Sequence, residues 1–253
     1  MSTTATPILS VENLTFSFSK ERQILKQVSF SIPKGSFTLL VGPNGSGKSL
    51  LLRVLKGLLQ PSAGTIVLEG VDVTGHPKQR MQAIGLVFQD ADTQIVGQTV
   101  EKDIRFGMEN LNLPKEVQNT RLEETLSLMD LHPMRNQRPR TLSGGEKRRL
   151  SVAGVLVMDP KLLILDEPFA NLDYRSVVSV LSTLLHLQQE GHTIVLVSHE
   201  VDKTLAHADQ VLVLEHGTLA EEGSPESVLP RLTEHGIYLP SNPIIEELSW
   251  LKR

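Results

Sequence analysis

Three short stretches hold residues whose types and spacing could handle a polyphosphate. The first is GPNGSGKS, Gly42 to Ser49, between an apolar strand-like run and a leucine-rich helical run. It fits G-x-x-x-x-G-K-[ST], a phosphate loop, in the strand–loop–helix setting the motif requires. Gly42, Gly45 and Gly47 permit the torsions that turn amide N–H groups inward, and Pro43, Asn44 and Ser46 complete the cradle. A helix beginning near Lys48 points its positive end at the same anion, so Leu50 joins the binding set. Lys48 can neutralise β/γ-phosphates, and the Ser49 hydroxyl can ligate Mg²⁺. The second stretch is LLILDEP, Leu162 to Pro168. A buried strand would release Asp166 and Glu167 at its C-terminal end, where α/β ligand sites form. Asp166 suits a Mg²⁺ shell, and Glu167 is placed to polarise an attacking water. The third is LSGGEKRRL, Leu142 to Leu150. Ser143 and Glu146 have capping-box spacing, and Gly144 and Gly145 leave amides open to a phosphate.

These stretches need a scaffold, and the chain is patterned to supply one. Strand-like runs occupy Ile8 to Phe18 and Ile24 to Ile32, then SFTLLV, GTIVLEG, Ala83 to Phe88, KLLILDE and TIVLVS. Continuous apolar runs suit strands covered on both faces. KSLLLRVLKGLL and YRSVVSVLSTLLHLQQE carry helical spacing, the latter closed by Gly191. From about Thr99 to Met158 the pattern is helical, interrupted by Pro114, Pro133 and Pro139. VLVLEHGTLAEEG reads as a hairpin turning at His216 and Gly217. In the tail, NPIIEELSWLKR places Ile244, Leu248 and Leu251 on one helical face. Alternation of strands and helices argues for a mostly parallel sheet with helices on its faces, and the Thr99 to Met158 stretch for an inserted helical subdomain.

Composition sets the outer bounds. The 253 residues carry a net charge of −4, which gives no reason to expect a nucleic-acid surface. There is no cysteine, hence no disulfide framework and no thiolate metal site. The N-terminal MSTTATPILSVENLTF lacks the basic and apolar regions of a signal peptide. No run approaches the roughly 18 apolar residues that span a bilayer.

Taken together with His199 in VLVSHE, the three stretches resemble the nucleotide-binding subunit of an ATP-binding-cassette (ABC) transporter, in order and over essentially the whole chain. The resemblance implies a P-loop NTPase α/β fold of the ABC-ATPase type: a mostly parallel central sheet, an N-terminal antiparallel β subdomain and a helical subdomain inserted at about 90–158. Residues 1–229 would form the ATPase domain and 230–253 a short tail at the dimer interface or packed on its own body. It implies ATP and Mg²⁺, with Ser49, Gln89 and Asp166 near the metal. Two subunits would face head to tail, so that Ser143, Gly144, Gly145 and Glu146 serve the ATP held by the other's phosphate loop. His199 resembles the switch histidine that contacts the γ-phosphate, and Asp173 the acid of the loop linking the two sites. Phe18 sits where the family places an aromatic against adenine, with Phe16 two residues earlier. Tyr174 departs from the family, where a proline often stands.

The stretch FQDADTQIVGQTVEKDIRFGMEN, Phe88 to Asn110, narrows the resemblance to the ATPases of energy-coupling-factor (ECF) transporters and related cobalt and nickel uptake systems. Here Gln89, Asp90, Asp92, Gln94, Thr99, Asp103 and Phe106 match that branch, and Ala91 replaces its usual proline. The resemblance implies an ATP-hydrolysing motor at the cytoplasmic face of the membrane, peripheral to integral membrane subunits near the Gln89 loop, with no nucleic-acid partner. ATPases of other importers or exporters share most of these motifs. DNA-repair relatives carry long coiled-coil or zinc-bearing insertions absent here, and a P-loop kinase has no use for LSGGE.

Overall fold

A computed structural model describes residues 7–19 and 22–251. Part of the N-terminal stretch read as lacking a signal, and the last two tail residues, lie outside it. In chain order the elements are β1 (Pro7–Ser19), β2 (Arg22–Pro33), β3 (Phe37–Val41), α1 (Lys48–Lys56), β4 (Ala63–Leu68), β5 (Val71–Asp72), α2 (Pro77–Ala83) and β6 (Ile84–Val87). Four helices follow: α3 (Ala91–Gln94), α4 (Val100–Asn110), α5 (Lys115–Leu128) and α6 (Gly144–Leu156). The chain then returns through β7 (Leu162–Asp166), α7 (Tyr174–Gln189), β8 (Thr193–Ser198), β9 (Gln210–Glu215), β10 (Thr218–Gly223) and α8 (Pro225–Val228).

Two sheets result. The first, ordered β2-β1-β4-β5, is antiparallel throughout. The second, ordered β10-β9-β3-β8-β7-β6, is parallel except where β10 pairs with β9. Apart from the edge strand β10, its strands read as largely apolar runs because both faces are covered. Phe37, Leu39 and Val41 of β3 enter one core with α4 to α7, whereas Leu40 enters the other with α1 and the antiparallel sheet. The same alternation runs through Leu162 to Leu165 of β7 and Ile194 to Val197 of β8. This is the two-residue period of a pleated strand, masked in the sequence by burial on both sides. The α/β architecture expected from the sequence is therefore the one observed.

The helical insertion departs from β6 and returns at β7. Thr99 caps α4, its side chain accepting from the Lys102 amide, and Pro114 stands at the N-cap of α5. Pro133 and Pro139 fall in short 3₁₀ turns, so each proline in this stretch marks a boundary rather than a kink. Glu101 on α4 ties the insertion together. Its carboxylate accepts from Arg135 at 2.6 Å and Arg105 at 2.8 Å, and Arg135 also reaches Glu123 of α5 at 2.7 Å.

Two local expectations differ from what is observed. The strand expected from Ala83 begins at Ile84, since Ala83 ends α2. Among the described residues the tail forms no helix carrying Ile244, Leu248 and Leu251; a 3₁₀ turn stands there at Ile245–Glu247. Leu248 is buried whereas Ile244 is exposed. Backbone partners outside the tail replace helical ones: the Ala206 amide donates to Leu248 O and the Trp250 amide to Lys203 O. So short a segment gains more from these bonds than from nucleating a helix. Val228, Leu232, Ile237 and Leu248 all enter the main core, which places residues 228–248 against the chain's own body.

Glu101 provides a test. Hydrogen bonds from Arg135, then Arg105, hold its carboxyl down at about 2. A depressed pKa means that the contribution to stability is present above the ordinary carboxylate range and lost as pH falls towards 2. Glu101→Gln should cost ~1 kcal/mol at pH 7, discounted for partial exposure. The difference from the parent should shrink as pH falls and vanish only below about 2, as measured by denaturant titration across pH.

Candidate functional site: a phosphate-binding cavity at the strand ends

Four parallel strands end on one edge of the second sheet, and their order decides which residues meet. Val41 pairs with Ser198 and Asp166 with Val197, so the loops leaving β3, β8 and β7 lie side by side. Gln89 leaves β6, the neighbour of β7. The cavity they enclose is about 340 Å³ and is lined by Asn44 to Leu50, Gln89, Asp166, Glu167 and His199. Ligand sites in open α/β sheets form at such strand ends.

The phosphate loop begins at Gly42 (φ +151°), where a Cβ would stand 2.1 Å from Leu214 O. Gly47, at φ +106°, occupies the N-cap of α1 with no side-chain cap, leaving the first-turn amides for a ligand. The Gly217 amide donates to Ser46 O, and Gly217 O accepts from the Lys26 amide, joining loop, hairpin and antiparallel sheet. Lys48 is buried, and its ammonium donates to Gly42 O at 2.6 Å and Pro43 O at 3.1 Å. Burial lowers its pKa, opposed by the charges of Glu167 and Asp166. Ser46 Oγ is buried with no hydrogen-bond partner among the described residues. A phosphate oxygen would suit it.

The acids face this loop. Burial raises the pKa of Asp166, opposed by a hydrogen bond with Ser49, while the neighbouring charge of Glu167 raises it further. Glu167 has φ +45°, unusual for a residue with a side chain, and its amide donates to Val197 O at 2.9 Å. That turn brings Oε1 to 2.8 Å from His199 Nδ1, while Ser198 Oγ donates to Oε2 at 3.3 Å. Ser49, Gln89 and Asp166 offer oxygen donors of the kind that Mg²⁺ takes.

The LSGGE stretch lies elsewhere. Ser143 caps α6 through a full capping box: its amide donates to Glu146 Oε2 at 2.7 Å, and Ser143 Oγ accepts from the Glu146 amide at 3.3 Å. Gly144 lines a separate cavity of about 410 Å³ with Ala170 to Leu172 and Gln89 to Asp92. Gly145 packs on α7, where a Cβ would come 2.7 Å from Ser176 Oγ. Asp173 caps α7, accepting from the Ser176 amide at 2.8 Å. Within one chain, then, Ser143 to Glu146 and Asp173 are not in the phosphate cavity. Of the two aromatics on β1, Phe16 is buried in the core and Phe18 is 67% exposed, edge-on to Phe16. Phe18 is the one with a face to offer a base.

The ABC transporter family profile matches residues 25–170, more than half of the chain. The chain belongs to that family. As an ABC ATPase subunit it resembles an energy-coupling factor transporter ATP-binding protein, EcfA, of Methanocaldococcus jannaschii, with 37% identity covering 87% of this chain and 80% of the relative. It is 39% identical to the cobalt import ATP-binding protein CbiO of Rhodobacter capsulatus, over 88% of this chain and 81% of that one. Among solved structures, cbiO1 of Clostridium perfringens, part of the ABC transporter complex cbiONQ, aligns with a TM-score of 0.83 and 34% identity. That match covers 89% of this chain and 92% of cbiO1. The chain is an ATPase of the ABC transporter class, and its fold is that of the class.

Some supports of the ABC site were not legible beforehand. Arg148, on the same helix as LSGGE, is buried and donates to Phe88 O at 2.7 Å and Gln89 O at 2.6 Å. Gln94 bridges the Phe88 amide and Ser151 O, and Asp103 accepts from the amides of Val96 and Gly97. Gln94 and Asp103 thus brace the loop through backbone groups, and both also line the apolar groove beside it. Within EKRRL the inward arginine is distinguished by its helical phase with Ser151 and Val152, three and four residues on, both buried. Arg148→Lys should lower ATP turnover at least ~10-fold, because one ammonium cannot fork to two carbonyls as a guanidinium does. Steady-state ATPase assays, beside a circular-dichroism check of folding, measure this.

Proposed function

We propose that the chain is the ATP-hydrolysing motor of an ECF-type importer, moving a vitamin or a transition-metal ion. The observation that carries the mechanism is the Glu167–His199 contact facing an uncapped helix and a buried lysine. Lys48, the amides from Asn44 to Ser49 and the Ser46 hydroxyl bind the β/γ-phosphates of ATP. Glu167 orients a water in line with the γ-phosphorus and accepts its proton, and His199 holds the γ-phosphate. Phe18 stacks on adenine. Among the described residues no group of three or more His, Cys, Asp or Glu could hold a metal ion. Ser49, Gln89 and Asp166 would therefore share Mg²⁺ with phosphate oxygens. When bound, Mg²⁺ supplies charge neutralisation between the β- and γ-phosphates.

The separation of LSGGE from the phosphate cavity supports a two-subunit enzyme. Ser143, Gly144, Gly145 and Glu146 of one subunit close on the ATP of the other, with Asp173 in the loop between sites. The second subunit is another copy or a related ATPase. Beside the Gln89 loop, an apolar groove of about 320 Å³ runs past Phe88, Val96, Phe106, Leu111 and Met158. Phe88, Val96, Phe106 and Leu111 are exposed there, a grouping that suits an integral membrane subunit. No described helix is long and apolar enough to cross a membrane. The motor then works from the cytoplasmic face, peripheral to those subunits.

Glu167→Gln should bind ATP within about twofold of the parent, lose turnover by ~10²–10⁴-fold and accumulate an ATP-bound dimer. Turnover at the parental rate would remove Glu167 from the reaction. Membrane extracts holding the tagged chain should yield an integral membrane protein on purification, and no DNA.

A further inference from the structure

Position 174 departs from its family's usual proline, and the tyrosine there is engaged. Tyr174 opens α7 directly after Asp173, and its hydroxyl donates to Trp250 O at 3.1 Å. The two rings stand 5.4 Å apart at 35°. Trp250 also grips the segment that follows the switch histidine. Its indole N–H donates to Asp202 Oδ2 at 3.1 Å, its backbone amide to Lys203 O at 3.3 Å, and Lys203 Nζ lies 4.8 Å above its ring. The tail adds Leu248 O, which accepts from the Ala206 amide, and Ser249 Oγ, 2.6 Å from His207 Nε2.

From Lys203 the contacts lead back into the site. Lys203 pairs with Glu200, whose amide donates to Ser198 Oγ at 3.0 Å, and Ser198 Oγ donates to Glu167. From Tyr174 the chain itself runs back through Asp173, the cap of α7, to the loop from Ala170 to Leu172. One indole therefore touches the supports of two loops that leave different strands, one carrying His199 and one following Glu167. A cation over an indole is worth more when desolvated than when exposed, and Lys203 is 7% exposed.

We propose that Trp250 is a positioning residue for ATP hydrolysis: the tail straps the His199 loop to the start of α7, with Tyr174 as its second anchor. The proposal rests on the reading of Glu167 and His199 as the reacting pair. The strap holds their spacing within one subunit and fixes the 170–173 loop at the same time. Because it acts after binding, its loss slows the chemical step and leaves the phosphate loop alone.

The test uses the full-length chain and steady-state ATPase kinetics at several protein concentrations. Trp250→Ala should lower kcat about tenfold with KM for ATP within about twofold. Trp250→Phe should recover most of the rate, since a ring remains over Lys203 and against Tyr174. Tyr174→Pro keeps the helix, as proline is tolerated at the first helical position, and should also slow turnover. The Trp250→Ala, Tyr174→Pro double variant should be no slower than Trp250→Ala, as expected of one shared contact. Unchanged kcat in folded Trp250→Ala, additive losses, or phenylalanine no better than alanine would overturn the strap. So would a loss that disappears at high protein concentration, which would make the tail a dimer contact. Should Trp250→Ala fail to fold, the phenylalanine and Tyr174→Pro variants decide. Glu167→Gln run in parallel separates the two claims: if it retains turnover the site reading fails, and if only the tail variants behave as the parent the strap fails alone.

Discussion

Everything at the site depends on the parallel pairing of β7 with β8 and of β8 with β3. Asp166 opposite Val197 and Val41 opposite Ser198 set three loops at one level along the sheet. A shift of one residue in either pairing would turn every side chain to the opposite face. Two cores forbid that shift, because both faces of these strands are packed with Leu, Ile and Val. Burial on both sides is thus what holds Glu167 within reach of His199.

Against that rigid edge stand groups that tolerate poor local conformations. Glu167 sits at positive φ and Asp166 keeps a carboxyl where burial disfavours its charge. Lys48 is likewise partly dehydrated. Such costs, of order 1–3 kcal/mol for each strained residue, persist only where surrounding structure over-determines the geometry. The strand register and the amide bond from Glu167 to Val197 O supply that constraint.

The sequence was most readable where one residue type has few substitutes. Gly42, Gly45 and Gly47 are required by positive φ, so the phosphate loop announced itself. The strands were legible because runs such as LLILDE have no competing helical period, and the capping box marked the start of α6 directly. What stayed hidden depended on partners far along the chain. The bracing roles of Arg148 and Asp103 had no such signal, because their acceptors and donors are backbone groups, which carry no side-chain signature. The tail misled for the same reason. Its apolar spacing fits a helix, and only the backbone groups of 203–206 reveal why it runs differently. Phe18, the aromatic assigned to adenine from the sequence, is the exposed one, while Phe16 two residues earlier is buried in the core.

The position of β3 also has a bearing on how the protein is born. Phe37 pairs with Ile194 on one side, and Thr38 with Gln210 on the other. The strand that launches the phosphate loop therefore emerges from a ribosome long before either neighbour exists. At roughly 10 residues per second the wait is ~15 s. Throughout it a strand that the finished fold buries completely, ending in a glycine-rich loop, has no sheet to join. Non-local pairing of this kind is slow and leaves the nascent chain exposed to aggregation. The nucleotide pocket is in that sense the last thing made, although its best-known motif is among the first residues synthesised.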